Sequence, residues 1–224
     1  MNTVLRRSFA ILSLCGAGLS AHATVLTFSD LGLISGNEIP GSYGDFVTGP
    51  GGSPGGSYGM GTGWTPNVEV SYSSVEGDGT VSQAFLTFWE SGYGDLEGNA
   101  YPATNGLYGR MTFTPNAGFF VTLESFNMAA WGGGDLTPDR LRVLDSGGGV
   151  LWDGSSTTAP ASGHATLTPN VTSDAAITLE WGSNWNLGID DVAFSESVVP
   201  EPSAVLAISL GLAALGRKRR RSIR

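Results

Sequence analysis

Acidic side chains are the residues of this sequence best suited to chemistry. Asp95 and Glu97 stand two apart in Gly-Asp-Leu-Glu-Gly, and Asp190 and Asp191 are adjacent in Gly-Ile-Asp-Asp-Val-Ala-Phe. Glycoside hydrolysis uses two carboxyl groups roughly 5 to 9.5 Å apart. The glycines around Asp95 and Glu97 favour a solvated turn, and adjacent strand residues point to opposite faces. Neither pair by itself predicts a catalytic centre.

Nucleophilic and zinc chemistry have less support still. After the N-terminal leader described below, the sequence holds one histidine, His164, and no cysteine. Thiol catalysis and disulfides are therefore excluded there, and clustered zinc ligands are missing from the sequence. His164 stands in a strand-like segment that suggests no Ser-His-Asp arrangement, so we expect no catalytic residue that the sequence identifies.

Calcium is the metal that the sequence favours. Ca²⁺ takes about 6 to 8 oxygen ligands and suits an acidic, cysteine-free domain. Asp190 shares its strand phase with Val192 and Phe194. We therefore expect its carboxylate on the core side, where a lone charge needs a partner.

A resemblance extends this calcium hypothesis. The segment 188–194 is similar to the last strand of carbohydrate-binding jelly rolls, many of which carry a structural calcium between their first and last strands. The resemblance implies Asp30 and Glu38 as further ligands beside Asp190. The alternative is that Asp190 lies at an exposed strand end or pairs with Arg140 or Arg142.

Tryptophan side chains offer a second kind of site, because indole faces stack on the apolar faces of sugar rings. Loop-like segments rich in Gly, Thr and Asn are predicted to present a glycan-stacking platform of Trp64, Trp131 and Trp185. The other three lie among aliphatic residues in strand patterns and are predicted to be core residues: Trp89, Trp152 and Trp181.

The charge of residues 24–199 limits the partners of this segment. Three arginines, Arg110, Arg140 and Arg142, face nineteen Asp and Glu residues, which gives a formal charge of −16. The whole-chain value of −9 conceals this because the other eight basic residues lie near the two ends. Such a segment is repelled by phosphate backbones, so we expect no nucleic-acid partner.

Short runs of β-branched and aromatic residues, separated by Gly, Pro, Asn and Asp, must position these side chains. They cover residues 25–28, 68–73, 81–89, 107–114, 118–131, 141–144, 150–152, 164–167, 175–181 and 187–194. No sustained helical period occurs. We predict one all-β domain over 24–198, an antiparallel β-sandwich that is jelly-roll-like.

Two finer patterns make specific predictions about this sandwich. Ile177, Leu179 and Trp181 alternate with Thr178 and Glu180, which predicts one buried and one solvated face. Within 119–128 the apolar phase slips, so we predict a β-bulge near Glu124 and Ser125.

A glycine-rich segment interrupts the strand pattern at 49–63. Eight of its fifteen residues are glycine. Such a composition opposes a packed element, so we expect disorder. The alternative is a loop that a partner orders around Tyr58.

The N-terminal residues 1–23 are predicted to be a secretory signal peptide. Arg6 and Arg7 precede an apolar stretch at 9–19, and Ala-His-Ala at 21–23 is typical of a cleavage site. The alternative, a lipoprotein signal around Cys15, is disfavoured because Leu14 stands where a small residue is needed. Cleavage would leave a chain that begins at Thr24.

The C-terminal residues 199–224 contain three consecutive features. They are the tripeptide Pro200, Glu201 and Pro202, an uncharged segment 203–216, and a basic tail 217–224 that contains Arg217, Lys218, Arg219, Arg220 and Arg221. A helix over 203–216 would be about 21 Å long, short of the roughly 30 Å hydrocarbon core, and flanking basic side chains can compensate. We predict a short transmembrane helix with the basic tail in the cytoplasm. The alternative is an amphipathic helix that docks on the body.

The three features together resemble the PEP-CTERM sorting signal of exported proteins of Gram-negative bacteria. The resemblance implies processing by an exosortase, a transient inner-membrane anchor, and delivery to the outer envelope or extracellular matrix. We therefore expect an exported surface or matrix protein that is non-catalytic and binds polysaccharide or the cell envelope. The alternative is a secreted glycan-active enzyme, a hydrolase or lyase, with unidentified carboxylates.

Overall fold

The computed structural model describes residues 23–49, 63–182 and 186–200. The predicted signal peptide, most of the glycine-rich segment, Trp185, Glu201, Pro202, the predicted membrane helix and the basic tail lie outside the described residues. Within those ranges, no helix is long and apolar enough to cross a membrane.

In the described part of the chain, strands form nearly all of the regular structure, beside one short 3-10 helix, Ser29–Leu31. In chain order they are β1 (Thr24–Leu26), β2 (Val47–Thr48), β3 (Trp64–Thr65), β4 (Val68–Val75), β5 (Val81–Gln83), β6 (Leu86–Trp89), β7 (Asn99–Pro102), β8 (Tyr108–Pro115), β9 (Phe119–Ala130), β10 (Arg140–Leu144), β11 (Val150–Asp153), β12 (Ala165–Leu167), β13 (Val171–Ser173), β14 (Ile177–Gly182) and β15 (Leu187–Val198).

These strands form two large antiparallel sheets. The seven-stranded sheet has the order β12-β9-β15-β7-β6, with β1 also paired to β15 and β13 to β9. The six-stranded sheet has the order β11-β10-β14-β8-β4-β5, and β2 and β3 form a separate pair. The prediction of an all-β fold with antiparallel sheets is confirmed.

The two sheets share one hydrophobic core. Period-2 alternation turns Ile177, Leu179 and Trp181 of β14 inward, and all three are fully buried. Phe113 of β8 packs against Phe194 of β15 across the core, with ring centroids 5.0 Å apart. The packed sheets agree with a sandwich, whereas the jelly-roll connectivity stays a prediction.

The run 81–89 differs from its prediction as a single strand. Its first part, β5, pairs with β4 in one sheet, and its second part, β6, pairs with β7 in the other. The chain changes sheets at Ala84 and Phe85, where the Phe85 carbonyl accepts a 2.8 Å hydrogen bond from the Ser74 hydroxyl. All three residues of β5 are exposed, whereas the first three residues of β6 are buried, and the run of strand-forming residues does not mark this crossing.

The predicted bulge in β9 is confirmed. Ser125 lies opposite Ala193 and Leu123 lies opposite Phe194, so Glu124 is an extra residue in β9. The partner strand β15 is irregular at the same place, where Asp191 has a φ of 49°.

This irregularity corrects the expected direction of Asp190. Ile189, Val192 and Phe194 all belong to the core, so the inward phase shifts between residues 189 and 192. Asp190 is buried as expected, with 5% of its surface exposed, but it lines a pocket outside the core.

Glu180 also differs from its prediction. It alternates with core residues of β14 as expected, yet it is fully buried instead of solvated. Arginine side chains from the neighbouring strands cover its carboxylate.

Candidate functional site

A loop between β6 and β7 forms the centre of the candidate site. We call residues 92–98 the 92–98 loop. Its glycines have positive φ angles and pack so closely that a Cβ atom would overlap a neighbour: Gly92 on the Trp131 ring, Gly94 on the Gly163 carbonyl, and Gly98 on the Ser29 backbone. These contacts hold the loop tightly against three other segments.

Aromatic side chains line a cleft on one side of this loop. The aromatic cleft consists of Trp89, Tyr93, Tyr101 and Trp131 and has a volume of about 160 Å³. The Trp131 ring centroid lies 5.4 Å from that of Trp89 and 5.1 Å from that of Tyr93. The tilted and edge-to-face geometry is favourable for aromatic packing. Leu96 and Ala129 pack against the same cluster, so the cleft has an apolar base.

Polar side chains line a second cavity next to the aromatic cleft. The polar pocket has a volume of about 320 Å³ and is lined by Thr27, Ser29, Asp95, Leu96, Glu97, Asn127, His164, Asp190 and Asp191. Within it, His164 Nδ1 lies 2.8 Å from Asp95 Oδ1. Asn127 Nδ2 donates a 2.9 Å hydrogen bond to Asp191 Oδ2.

Asp190 has the most perturbed carboxyl of this pocket. Burial raises its pKa to about 8, and the nearby charges of Asp191 and Asp30 act in the same direction. The backbone N–H of Asp191 donates a 2.7 Å hydrogen bond to Asp190 Oδ1, which only partly offsets the burial. Asp190 is therefore mainly protonated at neutral pH, so it can donate a hydrogen bond as well as accept one.

The predicted tryptophan platform has a different composition. Trp131 lines the aromatic cleft, whereas Trp64 lies in β3, is 52% exposed and lines neither cavity. Trp185 lies outside the described residues. Trp89, predicted to be a core residue, lines the cleft with Trp131. In β6, Leu86 and Phe88 point into the core, so the alternation places the Trp89 side chain on the outer face of the sheet.

The other two tryptophans predicted to be core residues lie at the core. Trp181 is fully buried. Trp152 is partly buried and packs edge-to-face on Phe126, with ring centroids 6.2 Å apart.

The proposed calcium ligands are not brought together as a set. Asp30 is close enough to Asp190 to raise its pKa, and it accepts a 2.9 Å hydrogen bond from the Tyr43 hydroxyl. The backbone of Glu38 forms an isolated antiparallel β-bridge with Thr87, and Glu38 does not line the polar pocket. The described residues contain no group of three or more His, Cys, Asp or Glu side chains that could hold a metal ion. The calcium site stays a prediction.

The arginine alternative for Asp190 is wrong. Arg140 and Arg142 contact the Glu180 carboxylate on the six-stranded sheet instead. Among the described residues, the Asp190 carboxyl accepts one hydrogen bond, from the backbone of Asp191.

Sequence reasoning missed Tyr93, Tyr101 and the pairing of Asp95 with His164. The contact between Asp95 and His164 joins residues 69 positions apart, so no local pattern contains it. The glycines of the 92–98 loop were the available signal. Glycines around acidic residues predict a solvated turn, and in the structure these glycines also allow the loop to pack closely on its neighbours.

Comparisons with known proteins identify the C-terminal motif. Residues 198–221 match the family model described as PEP-CTERM protein-sorting motif, which confirms the resemblance noted for the tail. The motif indicates export and exosortase-mediated sorting to the cell envelope or outer surface. No curated protein matches the chain.

A solved structure gives a weak likeness. A mutant of Xylanase10C from Cellvibrio japonicus in complex with xylopentaose is 8% identical, with a TM-score of 0.27. The match covers 58% of this chain and 27% of that chain, so this chain spans about a quarter of the other protein. At this TM-score the likeness does not establish a shared fold.

Proposed function

We propose that this protein is an exported surface or extracellular-matrix protein whose body binds polysaccharide through the aromatic cleft. The observation that carries the proposal is the cleft itself, in which four aromatic side chains surround about 160 Å³ beside a polar pocket. Binding sites for small ligands are commonly apolar clefts with a few convergent polar groups. A sugar ring matches that combination, because it has apolar faces and a hydroxyl-bearing edge.

The 92–98 loop supports this function by prepositioning the aromatic rings. Tyr93 is 1% exposed, so its ring is fixed before a ligand arrives. Gly92 lets the loop backbone pack directly on the Trp131 ring. A rigid platform loses little conformational entropy on binding, which favours affinity.

The position of the sorting motif supports delivery of an intact body. Strand β15 ends at Val198, and the Val199 N–H donates a 2.9 Å hydrogen bond to the Gly118 carbonyl. Pro200, the first residue of Pro-Glu-Pro, follows directly. Cleavage at or after this motif would leave both sheets complete. We further propose that the leader 1–23 is removed and that a helix over 203–216 anchors the protein transiently in the inner membrane. The body then has jelly-roll topology and is released to the outer envelope or matrix.

A glycan array followed by calorimetric titration of the protein secreted by its own host tests the binding proposal. We expect Trp131→Ala to weaken binding by more than tenfold and Trp64→Ala to preserve it, because Trp131 lines the cleft and Trp64 lines neither cavity. Absence of binding to any polysaccharide, or equal binding by the Trp131→Ala variant, would refute it. Intact mass and cell fractionation of the same material test the sorting proposal. A mass that retains residues 203–224 would contradict it.

A second candidate function is hydrolysis or elimination at the polar pocket. It is favoured by Asp190, whose buried carboxyl holds a proton at neutral pH beside the carboxylates of Asp95 and Asp191. Glycoside hydrolysis needs such a protonated acid and a second carboxylate. Release of new reducing or unsaturated ends from a bound polysaccharide, lost in Asp190→Asn, would favour this function over simple binding.

A further inference from the structure

One end of the sandwich consists of two turns and the end of β15, and we call it the tail pole. It comprises the β3–β4 turn at 66–67, the β8–β9 turn at 116–118 and residues 196–199. Hydrogen bonds join these parts: Asn116 N–H to the Asn67 carbonyl at 2.7 Å, Val199 N–H to the Gly118 carbonyl at 2.9 Å, and Asn67 N–H to Glu196 Oε2 at 2.8 Å. The tail that carries the sorting motif therefore leaves from a fixed surface.

Strand β15 separates the tail pole from the aromatic cleft. It begins at Leu187, next to Asn186, whose carbonyl accepts a 2.8 Å hydrogen bond from the N–H of Trp131. It ends at Val198, and an extended strand of its twelve residues is about 35 Å long. The cleft and the tail pole thus lie at opposite ends of the body.

The length of the tail limits how far the tail pole can stand from a membrane. Five residue steps separate Val198 from residue 203, where the uncharged segment 203–216 begins. An extended chain covers at most about 3.6 Å per residue, so these steps span at most about 18 Å. With the segment inserted as proposed, the tail pole is held close to the lipid headgroups.

Exposed apolar side chains are concentrated on the same side of the body. Trp64 precedes the β3–β4 turn and is 52% exposed, and Val198 is 62% exposed. Val150 and Leu151 are also exposed and follow the β10–β11 turn. The register of β10, β14 and β8 places that turn at the same end as the β8–β9 turn. In the described part of the chain, four of the six exposed large apolar residues therefore lie on the side where the tail emerges.

The backbone around Trp64 is held in a fixed position. Thr65 is fully buried, and its Oγ1 lies 2.8 Å from Thr24 Oγ1. A Cβ atom at Gly63 would overlap Thr24, so β3 packs directly on the start of β1. Because adjacent strand residues point to opposite faces, the inward Thr65 directs Trp64 outward. An exposed indole in this position suits a membrane–water interface, where tryptophan is enriched.

The charges of the tail pole disfavour attraction to anionic lipids. Glu69 and Asp174 are exposed near this pole. The arginines of residues 24–199 contact Glu180, and two of them also bind the β4–β5 turn at the other end of β4. Contact with a bilayer must therefore rest on apolar side chains and on the tail.

We propose, building on the membrane anchor of the proposed function, that the tail pole is a membrane-contact surface on which Trp64 and Val198 enter the headgroup layer. The partner is a lipid surface without net charge. A few apolar side chains bind it weakly by themselves, but the tail raises their effective concentration at the bilayer. Cleavage at Pro-Glu-Pro removes this tether and releases the contact. In the anchored state the aromatic cleft faces away from the membrane.

Tryptophan fluorescence in brominated vesicles tests the contact of Trp64. Protein that retains the tail is reconstituted in phosphatidylcholine vesicles with plain or brominated acyl chains, because bromine quenches a nearby indole. We expect brominated vesicles to lower the emission and Trp64→Phe to remove most of this loss. Trp131→Phe, the matched control at the opposite end, should retain it. A loss of emission that survives Trp64→Phe, or that disappears in Trp131→Phe, would overturn the inference.

Single-cysteine labels give a second measurement that leaves Trp64 in place. The sequence after the predicted leader has no cysteine, so Ser197→Cys and Gly133→Cys each provide one labelling site at an exposed position. Gly133 has open space around its Cβ position. We expect an environment-sensitive fluorophore at residue 197 to brighten and shift to shorter wavelength on reconstitution, and one at residue 133 to remain unchanged. Equal responses at both positions would contradict the orientation.

Processed protein that ends near Pro200 tests the dependence on the tail. We expect no loss of emission with the same brominated vesicles and no flotation with them. Quenching as large as in the protein that retains the tail would overturn the role of the tether.

Flotation of the protein that retains the tail distinguishes this inference from the proposed function. If the protein does not float with vesicles, the membrane anchor and the inference both fail. If it floats but shows neither quenching of Trp64 nor a shift of the label at residue 197, the inference fails and the anchor stands.

Discussion

Arg142 and Glu180 form a two-point ion pair on the outer side of the six-stranded sheet. Arg142 Nε and Nη2 lie 2.9 and 2.8 Å from Glu180 Oε2. Arg110 Nη2 lies 2.5 Å from Oε1, and Arg140 Nη1 lies 3.5 Å from Oε2. The three arginines of an otherwise acidic body thus converge on one buried carboxylate.

The same arginines connect separate parts of the sheet. Arg110, Glu180 and Arg142 are cross-strand neighbours on β8, β14 and β10. Arg140 Nη2 and Arg110 Nη2 also donate to the Gly77 and Gly79 carbonyls of the β4–β5 turn, at 2.6 and 3.1 Å. The cluster therefore stabilises the tertiary arrangement of three strands and a turn.

Glu180→Gln should strongly destabilise the protein. The substitution leaves three guanidinium groups close together without their shared counter-charge, and breaking a buried ion pair costs about 3–5 kcal/mol. The free energy of unfolding from denaturant titration measures the loss. Glu69→Gln on the exposed face of β4 is the matched control and should change it by less than about 0.5 kcal/mol. A Glu180→Gln value within the same limit would contradict the structural role of this cluster.

The Glu180 cluster also predicts sensitivity to acid. Burial alone would raise the pKa of Glu180, but hydrogen bonds and charges of Arg110 and Arg142 outweigh it and hold the pKa below its ordinary value of 4.5. Its stabilising contribution is therefore present above pH 4.5 and is lost as the pH falls through the folded-state pKa. In acid titrations of stability, the wild-type protein and Glu180→Gln should converge as the pH falls below that value. Parallel curves would contradict this prediction.

Local sequence patterns predicted much of the fold. Alternation in β14 identified its core face, and the phase slip in 119–128 identified the bulge at Glu124, because both follow from side-chain direction along a strand. The burial of Glu180 could not be predicted in this way. Its partners Arg110 and Arg142 are 70 and 38 positions away, and only the sheet register brings them together.

The candidate site was less accessible to sequence reasoning for the same physical reason. Trp131 was identified, but the cleft also needs Trp89, Tyr93 and Tyr101, which reach it from β6, the 92–98 loop and β7. Alternation along a strand does not distinguish the core from a satellite apolar cluster on the outer face. Strand β7, which contains Asn99 and Pro102, lacks the β-branched composition by which strands are recognised.

Asp190 predicts a loss of stability with rising pH. Its folded-state pKa of about 8 lies above the ordinary value of 3.8, so between these values the folded state retains a proton that the unfolded state has released. The contribution of Asp190 to the free energy of unfolding should fall by about 1.4 kcal/mol per pH unit in this window. Denaturant titrations of Asp190→Asn should show stability rising relative to the wild type as the pH increases. A difference that stays constant with pH would contradict the raised pKa.

Trp131→Ala should weaken glycan binding by more than tenfold. The ring packs on both Trp89 and Tyr93, so its removal opens the cleft as well as deleting a stacking face. Truncation of a central aromatic residue in a binding site typically costs about 2 kcal/mol or more. Calorimetric titration with a polysaccharide that binds the wild type measures the effect. If Trp64→Ala causes the larger loss, the binding site lies near β3 and not at the cleft.

Gly94→Ala should disrupt the site by displacing the 92–98 loop. Gly94 has a φ of 53°, and an added methyl group would overlap the Gly163 carbonyl oxygen next to His164. Gly106→Ala is the control, because Gly106 also has a positive φ, 90°, but has open space around its Cβ position. Both substitutions incur backbone strain of about 1–2 kcal/mol, and Gly94→Ala adds a packing cost of about 1–3 kcal/mol.

We therefore expect lower stability and weaker glycan binding in Gly94→Ala, and unchanged binding in Gly106→Ala. Equal effects of the two substitutions on both measurements would show that close packing of the loop does not position the aromatic cleft.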